Sequence, residues 1–293
     1  MWTGMEFLLI LQDLRDSLPY FITEAFNFLA RHEFQYFIPI LLGAFFLWCL
    51  GKKEGELLLL SFSFSNLVGY LTKNIVKQPR PWILDPEIQP DAASKRTAPG
   101  YSLPSGHTTS AVAGFGIAAW VCTNKALVVL FLFLAVILPF SRMFLGVHTP
   151  IDIIVAIIIV IAVCFVNYRV LEWSHESDRN RLYALIGYLV AAIAISIACD
   201  LFAGKILSNK MTGMSMAIPI CLLIEERFIR YEVPSISMKD RSILSIPGLV
   251  IAFVLMEALY MLVPSFGATL STTFATAFVI IVYPYILKKR FTQ

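Results

Sequence analysis

Residues 126–168, ALVVLFLFLAVILPFSRMFLGVHTPIDIIVAIIIVIAVCFVNY, decide the class of the fold. Two apolar runs, about 126–144 and about 150–168, flank a segment that holds Ser141, Arg142, His148 and Asp152. Each run approaches the roughly 20 residues that an α-helix needs to cross about 30 Å of hydrocarbon. Neither run alternates polar with apolar residues, as a membrane strand would. A backbone in lipid must satisfy its own hydrogen bonds, so helices remain.

Working outward, seven more runs of this kind appear, at about 35–50, 56–76, 104–122, 182–202, 212–229, 243–263 and 267–287. The run at 35–50 is short, and that at 212–229 carries Met and Thr. The expected fold is therefore all-α, a polytopic transmembrane helical bundle of about nine spans. Residues 1–34 differ. Phe7 to Leu11 are apolar, Gln12, Asp13, Arg15 and Asp16 follow, and a second apolar patch covers 21–29. No basic start precedes the first run, which is too short for a secretory signal. This segment reads as amphipathic and lying on the membrane surface.

Composition agrees. Of 293 residues, 58% are hydrophobic and 15% charged, against about 45–50% and about 25% in soluble domains. These values exclude an ordinary cytosolic enzyme, a disordered chain and a basic nucleic-acid-binding domain. The five Cys all lie in apolar runs and read as small buried side chains, with no disulfide framework. Nine spans place the termini on opposite sides, with thirteen of the 23 Lys and Arg on one side and ten on the other. The richer side is expected to be cytoplasmic, which puts the N-terminus outside and the C-terminus inside. Three parts are expected: 1–34 as the amphipathic segment, 35–170 as a core of five spans, and 171–293 as an extension of four.

Polar residues at span ends fall in three clusters: 73–81 (KNIVKQPRP), 104–107 (PSGH) and 141–152 (SRMFLGVHTPID). The nine-span arrangement puts all three on the outer face. His148 and Asp152 are four apart, a spacing that shares one helical face, and a carboxylate beside an imidazole fixes its tautomer. Pro104 and Ser105 suit a helix start, Gly106 permits close backbone approach, and His107 sits in the first turn, where an anion is favoured. Arg80, between Pro79 and Pro81, is expected to be extended. Each cluster alone also fits a plainer role: a helix cap, or basic side chains anchored at the interface. Together they bring two of the four His, with an Asp, a Ser, two Arg and Lys73, to one place. The other two, His32 and His175, show no partner pattern. The cations disfavour a divalent metal. The set suits a phosphate anion, with an imidazole nucleophile oriented by a carboxylate and a second imidazole for the leaving group.

The three clusters resemble the three-part signature of the type-2 phosphatidic acid phosphatase superfamily. That superfamily includes lipid phosphate phosphatases, undecaprenyl pyrophosphate phosphatases, glucose-6-phosphatase and vanadium haloperoxidases. Its elements are Lys, six residues, Arg-Pro, here Lys73 to Arg80-Pro81; Pro-Ser-Gly-His, here 104–107; and Ser-Arg, five residues, His, three residues, Asp, here Ser141, Arg142, His148 and Asp152. Every position is matched, across about residues 56–168.

The resemblance implies a metal-independent reaction without a cofactor, in which His148 attacks phosphorus to form a phosphohistidine and Asp152 holds its other ring nitrogen. It implies that His107 protonates the leaving oxygen and then activates water, while Lys73, Arg80, Ser105, Gly106 and Arg142 hold the phosphoryl oxygens. Lys77, Lys95 and Arg96 are not family positions and read as solvated. The expected substrate is a lipid phosphomonoester or an isoprenyl or undecaprenyl pyrophosphate at the outer face of a plasma membrane. Alternatives are a lipid phosphotransferase, a glucose-6-phosphatase-like or sphingosine-phosphate-phosphatase-like enzyme and, outside enzymes, an anion transporter. The transporter is disfavoured because the polar residues gather at one surface and not at the midplane.

Overall fold

A computed structural model describes residues 4–31, 33–204, 211–262 and 267–291. His32, together with Lys205 and Lys210 of the ten Lys and Arg on the poorer side, lies outside the described residues. In chain order the helices are α1 (Met5–Ser17), α2 (Tyr20–Leu29), α3 (Ile38–Cys49), α4 (Lys52–Val76), α5 (Pro81–Leu84), α6 (Ala92–Arg96), α7 (Gly106–Ala111) and α8 (Ile117–Val121). They continue as α9 (Lys125–Phe144), α10 (Pro150–Ser174), α11 (Asp178–Ala203), α12 (Thr212–Ile224), α13 (Met238–Leu262), α14 (Gly267–Ala277) and α15 (Tyr283–Phe291). Turns of π-helix precede α3, join α7 to α8, follow α12 and join α14 to α15.

Helix occupies each of the nine stretches expected to be apolar spans. Among the described residues, five pieces are long and apolar enough to cross a membrane: α9, α10, α11, α13 and Thr269–Phe291. Phe34–Cys49 is a shorter apolar helix. The chain is an all-α, polytopic integral membrane protein. Large apolar side chains such as Val129, Phe133 and Val136 on α9 and Ile158, Ile161 and Phe165 on α10 face outward, as a lipid solvent allows. Local signals set the ends. Asn124 caps α9 by accepting from the Ala126 and Leu127 amides at 3.0 and 3.2 Å, Ser177 caps α11, and Gly204, at φ 65°, ends it.

The chain divides into two compact units, 1–39 with 68–162, and 40–67 with 163–293. The first holds the three polar clusters. Within it, α1 and α2 pack on α9: Leu8 and Leu11 close over Ile88, and the Phe26 ring lies 4.6 Å from that of Phe144. Gln12 donates to the Glu87 carbonyl at 3.2 Å and Arg15 to that of Gln89 at 2.7 Å. Part of the apolar face expected to meet lipid is thus covered by protein. Gly114 is obligatory in the π-turn, since a Cβ there would lie 2.6 Å from Pro39.

In the second unit, buried Trp48 donates to the Val279 carbonyl and accepts at its own carbonyl from the Tyr231 hydroxyl, both at 2.8 Å. The starts of α4 and α11 and the end of α12 meet in ion pairs. Arg181 binds Glu56 at 2.8 Å and Glu226 at 2.7 Å, and Lys52 binds Glu225 at 2.6 Å. Burying these charges is tolerable because each is paired. His175, expected to be ordinary, is exposed and hydrogen-bonds the Leu171 carbonyl. All five Cys are free thiols.

Candidate active site

The site lies wholly within the first unit. Its third cluster forms where α9 ends and α10 begins. Gly146, at φ 73°, makes a left-handed turn after α9 that few side chains tolerate. The chain then re-enters helix at Pro150. His148 therefore precedes α10 and does not share a helical face with Asp152. The contact still forms, because Asp152 in the first turn reaches back: its Oδ2 accepts from the Thr149 amide at 2.8 Å and faces His148 Nδ1 at 3.3 Å.

The partners of His148 determine its tautomer. Arg80 Nη1 stands 3.0 Å from Nε2, and a guanidinium can only donate. Nε2 therefore carries the lone pair, and the ring proton sits on Nδ1 against the carboxylate. His148 is 2% exposed. Burial holds its pKa down at about 3; the Asp152 hydrogen bond opposes this, and the Arg80 and Lys73 charges add to it. The ring is neutral at pH 7.

Arg80 has the extended backbone its flanking prolines require, φ −70° and ψ 154°. Its guanidinium donates to the carbonyls of Pro99 (3.1 Å), Gly100 (3.1 Å) and Val147 (3.0 Å). Burial lowers its pKa to about 10 against the pull of Asp152, so it stays charged. Lys73, in the last turn of α4, donates to the carbonyls of Tyr101 at 3.0 Å and Ser102 at 3.3 Å. Lys77 and Arg96 are exposed. Lys95 lies 5.6 Å from the Trp82 ring centre, a ring that Arg80 also approaches.

The second cluster caps α7 as its sequence suggests. The Ser105 hydroxyl accepts from the Thr108 amide at 3.3 Å and the Thr108 hydroxyl at 2.9 Å. The Ser105 amide donates to the Asp152 carbonyl at 3.1 Å, which ties this cap to the start of α10. Around Gly106, a side chain would meet Gln35 alone, at 3.7 Å. His107 Nε2 lies 3.0 Å from the Ala30 carbonyl, to which it donates. Arg142, His148 and Lys73 all lie within electrostatic reach of His107.

Arg142, in the last turn of α9, is 0% exposed, and none of its three guanidinium nitrogens has a hydrogen-bond partner. Buried polar groups are almost always paired, because leaving a charge unpaired in a low dielectric is costly. Three N–H-bearing nitrogens with no acceptor in the protein can donate to the oxygens of an anion. Ser141 beside it bonds back to the Leu138 carbonyl at 2.6 Å and stays within its own helix.

Sequence reasoning missed Ser102. Its hydroxyl donates to Asp152 Oδ2 at 2.6 Å and lies 3.5 Å from His148 Nδ1. It also missed Ala30 and Gln35. None of the three carries a charge or sits at a telling spacing, so no signal marked them. Among the described residues no three His, Cys, Asp or Glu side chains cluster as metal ligands.

Comparison with known proteins bears on the same residues. Residues 56–176 match the family model described as the PAP2 superfamily. A curated relative, the undecaprenyl-diphosphatase of Sulfolobus acidocaldarius, is 29% identical over 103 residues, 35% of this chain and 48% of that protein. The chain thus aligns with about half the length of that relative. No solved structure matches significantly.

Proposed function

We propose that this chain, whose residues 56–176 match the PAP2 superfamily model, is a member of that superfamily and a metal-independent membrane phosphatase for a lipid phosphomonoester or pyrophosphate. The observation that carries the reading is neutral His148, its Nε2 lone pair set among cations, beside Arg142 with no acceptor for its guanidinium. Arg80 Nη1 releases Nε2 and turns to a phosphoryl oxygen, the freed Nε2 lone pair attacks phosphorus, and the bond to the leaving oxygen breaks as His107 supplies a proton. His107 then takes a proton from water, whose oxygen displaces Nε2 and releases phosphate. Lys73, Arg80, Arg142, Ser105 and the Gly106 amide hold the phosphoryl oxygens, where positioning and charge dominate the catalysis. In the arrangement described, His107 is engaged by Ala30, so that contact opens as the leaving oxygen takes its place. The name of the Sulfolobus relative favours an isoprenyl pyrophosphate. The Lys and Arg asymmetry of the loops favours a site on the outer face.

The test is a panel of phosphatidic acid, phosphatidylglycerol phosphate, undecaprenyl pyrophosphate, sphingosine phosphate and glucose 6-phosphate, given to the detergent-purified chain. We expect phosphate release from at least one lipid and none from the sugar, undiminished by EDTA and blocked by vanadate. Loss on chelation that a divalent cation restores would overturn the metal-independent mechanism.

Ser102 is assigned here as a positioning residue. Ser102→Ala removes one donor from Asp152, whose charge then pulls harder on the His148 proton. The expected result is a 10- to 100-fold fall in kcat, roughly the worth of a hydrogen bond to a charged group. KM should hold, and the acid limb of the pH profile should move upward. Ser102→Thr keeps the hydroxyl and should restore most of the rate. An unmoved pH profile would leave Ser102 a purely structural role.

A further inference from the structure

The second unit carries a groove of about 780 Å³ where the start of α11 meets the end of α12 and the π-turn after it. It lies outside the segment that matches the family model. Leu182, Leu185, Leu223 and Phe228 contribute its apolar wall, and Arg181, Arg227 and Arg230 its basic groups. Arg181 is already engaged by Glu56 and Glu226. Arg227 and Arg230 are exposed, with no side-chain partner among the described residues. Asp178, also exposed, is the one carboxylate of the lining not committed to Arg181. It sits in the first turn of α11, where the helix N-terminus offsets its charge.

Two features say what fits there. The apolar wall continues the lipid-facing surface of α11, a helix long enough to span the membrane, where Tyr183, Ile186 and Val190 are exposed. The arginines stand at the level where that helix begins, the depth of a head group. A basic pocket between spanning helices at the interface is a recurring binding site for anionic lipids. A soluble anion would use the arginines and leave the wall wet, whereas a zwitterionic lipid would use the wall while its own ammonium offsets much of what its phosphate gains from the two arginines.

We propose that this groove binds an anionic phospholipid, with its phosphate on Arg227 and Arg230 and an acyl chain along Leu182, Leu185 and Leu223. This lipid is a resident ligand and not the substrate, since the groove contains none of the phosphoryl-transfer residues. The site is therefore independent of the reaction proposed above.

Native mass spectrometry of the detergent-solubilised chain, titrated with phosphatidylglycerol or phosphatidylcholine, tests it. Wild type should retain phosphatidylglycerol in preference to phosphatidylcholine, and the preference should shrink with salt. An arginine near such a surface contributes about fivefold, so Arg227→Gln with Arg230→Gln should weaken phosphatidylglycerol binding about 30-fold. Phosphatidylcholine binding should fall far less in the double variant, a control that the groove stays folded. Equal retention of the two lipids by wild type would overturn the proposal, as would a double variant that binds phosphatidylglycerol like wild type. Displacement of the lipid by glycerol phosphate at matched concentration would identify a soluble-anion site and overturn it equally.

Discussion

His148→Ala should reduce phosphate release by about four orders of magnitude or more, to the level set by binding and charge alone. Groups that act as a unit in covalent catalysis lose nearly everything when the nucleophile is removed, and further deletions then add little. His148→Ala with Asp152→Asn should therefore be hardly slower than His148→Ala, whereas independent contributions would multiply. A variant that hydrolyses at even a tenth of the wild-type rate would end the phosphohistidine mechanism. The same variant has a second readout. Below about pH 6.5 the unfolded chain protonates this ring, while the folded chain, with its pKa held down at about 3 by burial, does not. The contribution to stability is thus intact above about pH 6.5 and is lost as pH falls toward 3. His148→Ala should flatten that part of the stability curve, which thermal unfolding at a series of pH values measures.

Arg142→Met should have two opposite effects. With all three guanidinium nitrogens buried and without an acceptor in the protein, Arg142 is a charge that the fold itself leaves unpaired. Replacing buried ionic groups by apolar ones of similar volume is often neutral or stabilising by about 1–4 kcal/mol, so the variant should unfold at an equal or higher temperature. Its turnover should nevertheless fall by about 10³-fold or more, the scale seen when a cation that stabilises a phosphoryl transition state is removed. Vanadate supplies the missing acceptor. At a hundred times its dissociation constant a bound anion adds about 2.7 kcal/mol, so vanadate should raise the wild-type midpoint and leave that of Arg142→Met unmoved. A variant that is both less stable and equally responsive to vanadate would show that Arg142 supports the fold and does not bind the anion.

Much of the site could be read from sequence. Arg80 is extended because two prolines forbid anything else, and Ser105 caps α7 because a short hydroxyl before Gly106 finds the amide three residues on. These are local effects, and four or five neighbouring residues suffice to produce them. The pairing of His148 with Asp152 was also anticipated, though for an incomplete reason. A turn at Gly146, and not a shared helical face, presents the imidazole, and the carboxylate reaches it from the first turn of α10. Ser102 and Ala30 were invisible because each meets the site across a long chain separation, 50 residues to Asp152 and 77 to His107.

The sequence by itself determined the solvent, the helices and which charged and imidazole side chains stand at the ends of the apolar runs. Hydropathy and charge are carried by each residue wherever it goes, and their sum along a 20-residue run is enough to select lipid and helix. The tertiary structure alone decided which ring nitrogen of His148 carries the lone pair, that Arg142 has no acceptor within the protein, and that two exposed arginines border an apolar groove. Those facts depend on which atoms come within hydrogen-bond distance. That interaction fails within about an ångström of its optimum, and no one-dimensional pattern locates atoms so closely.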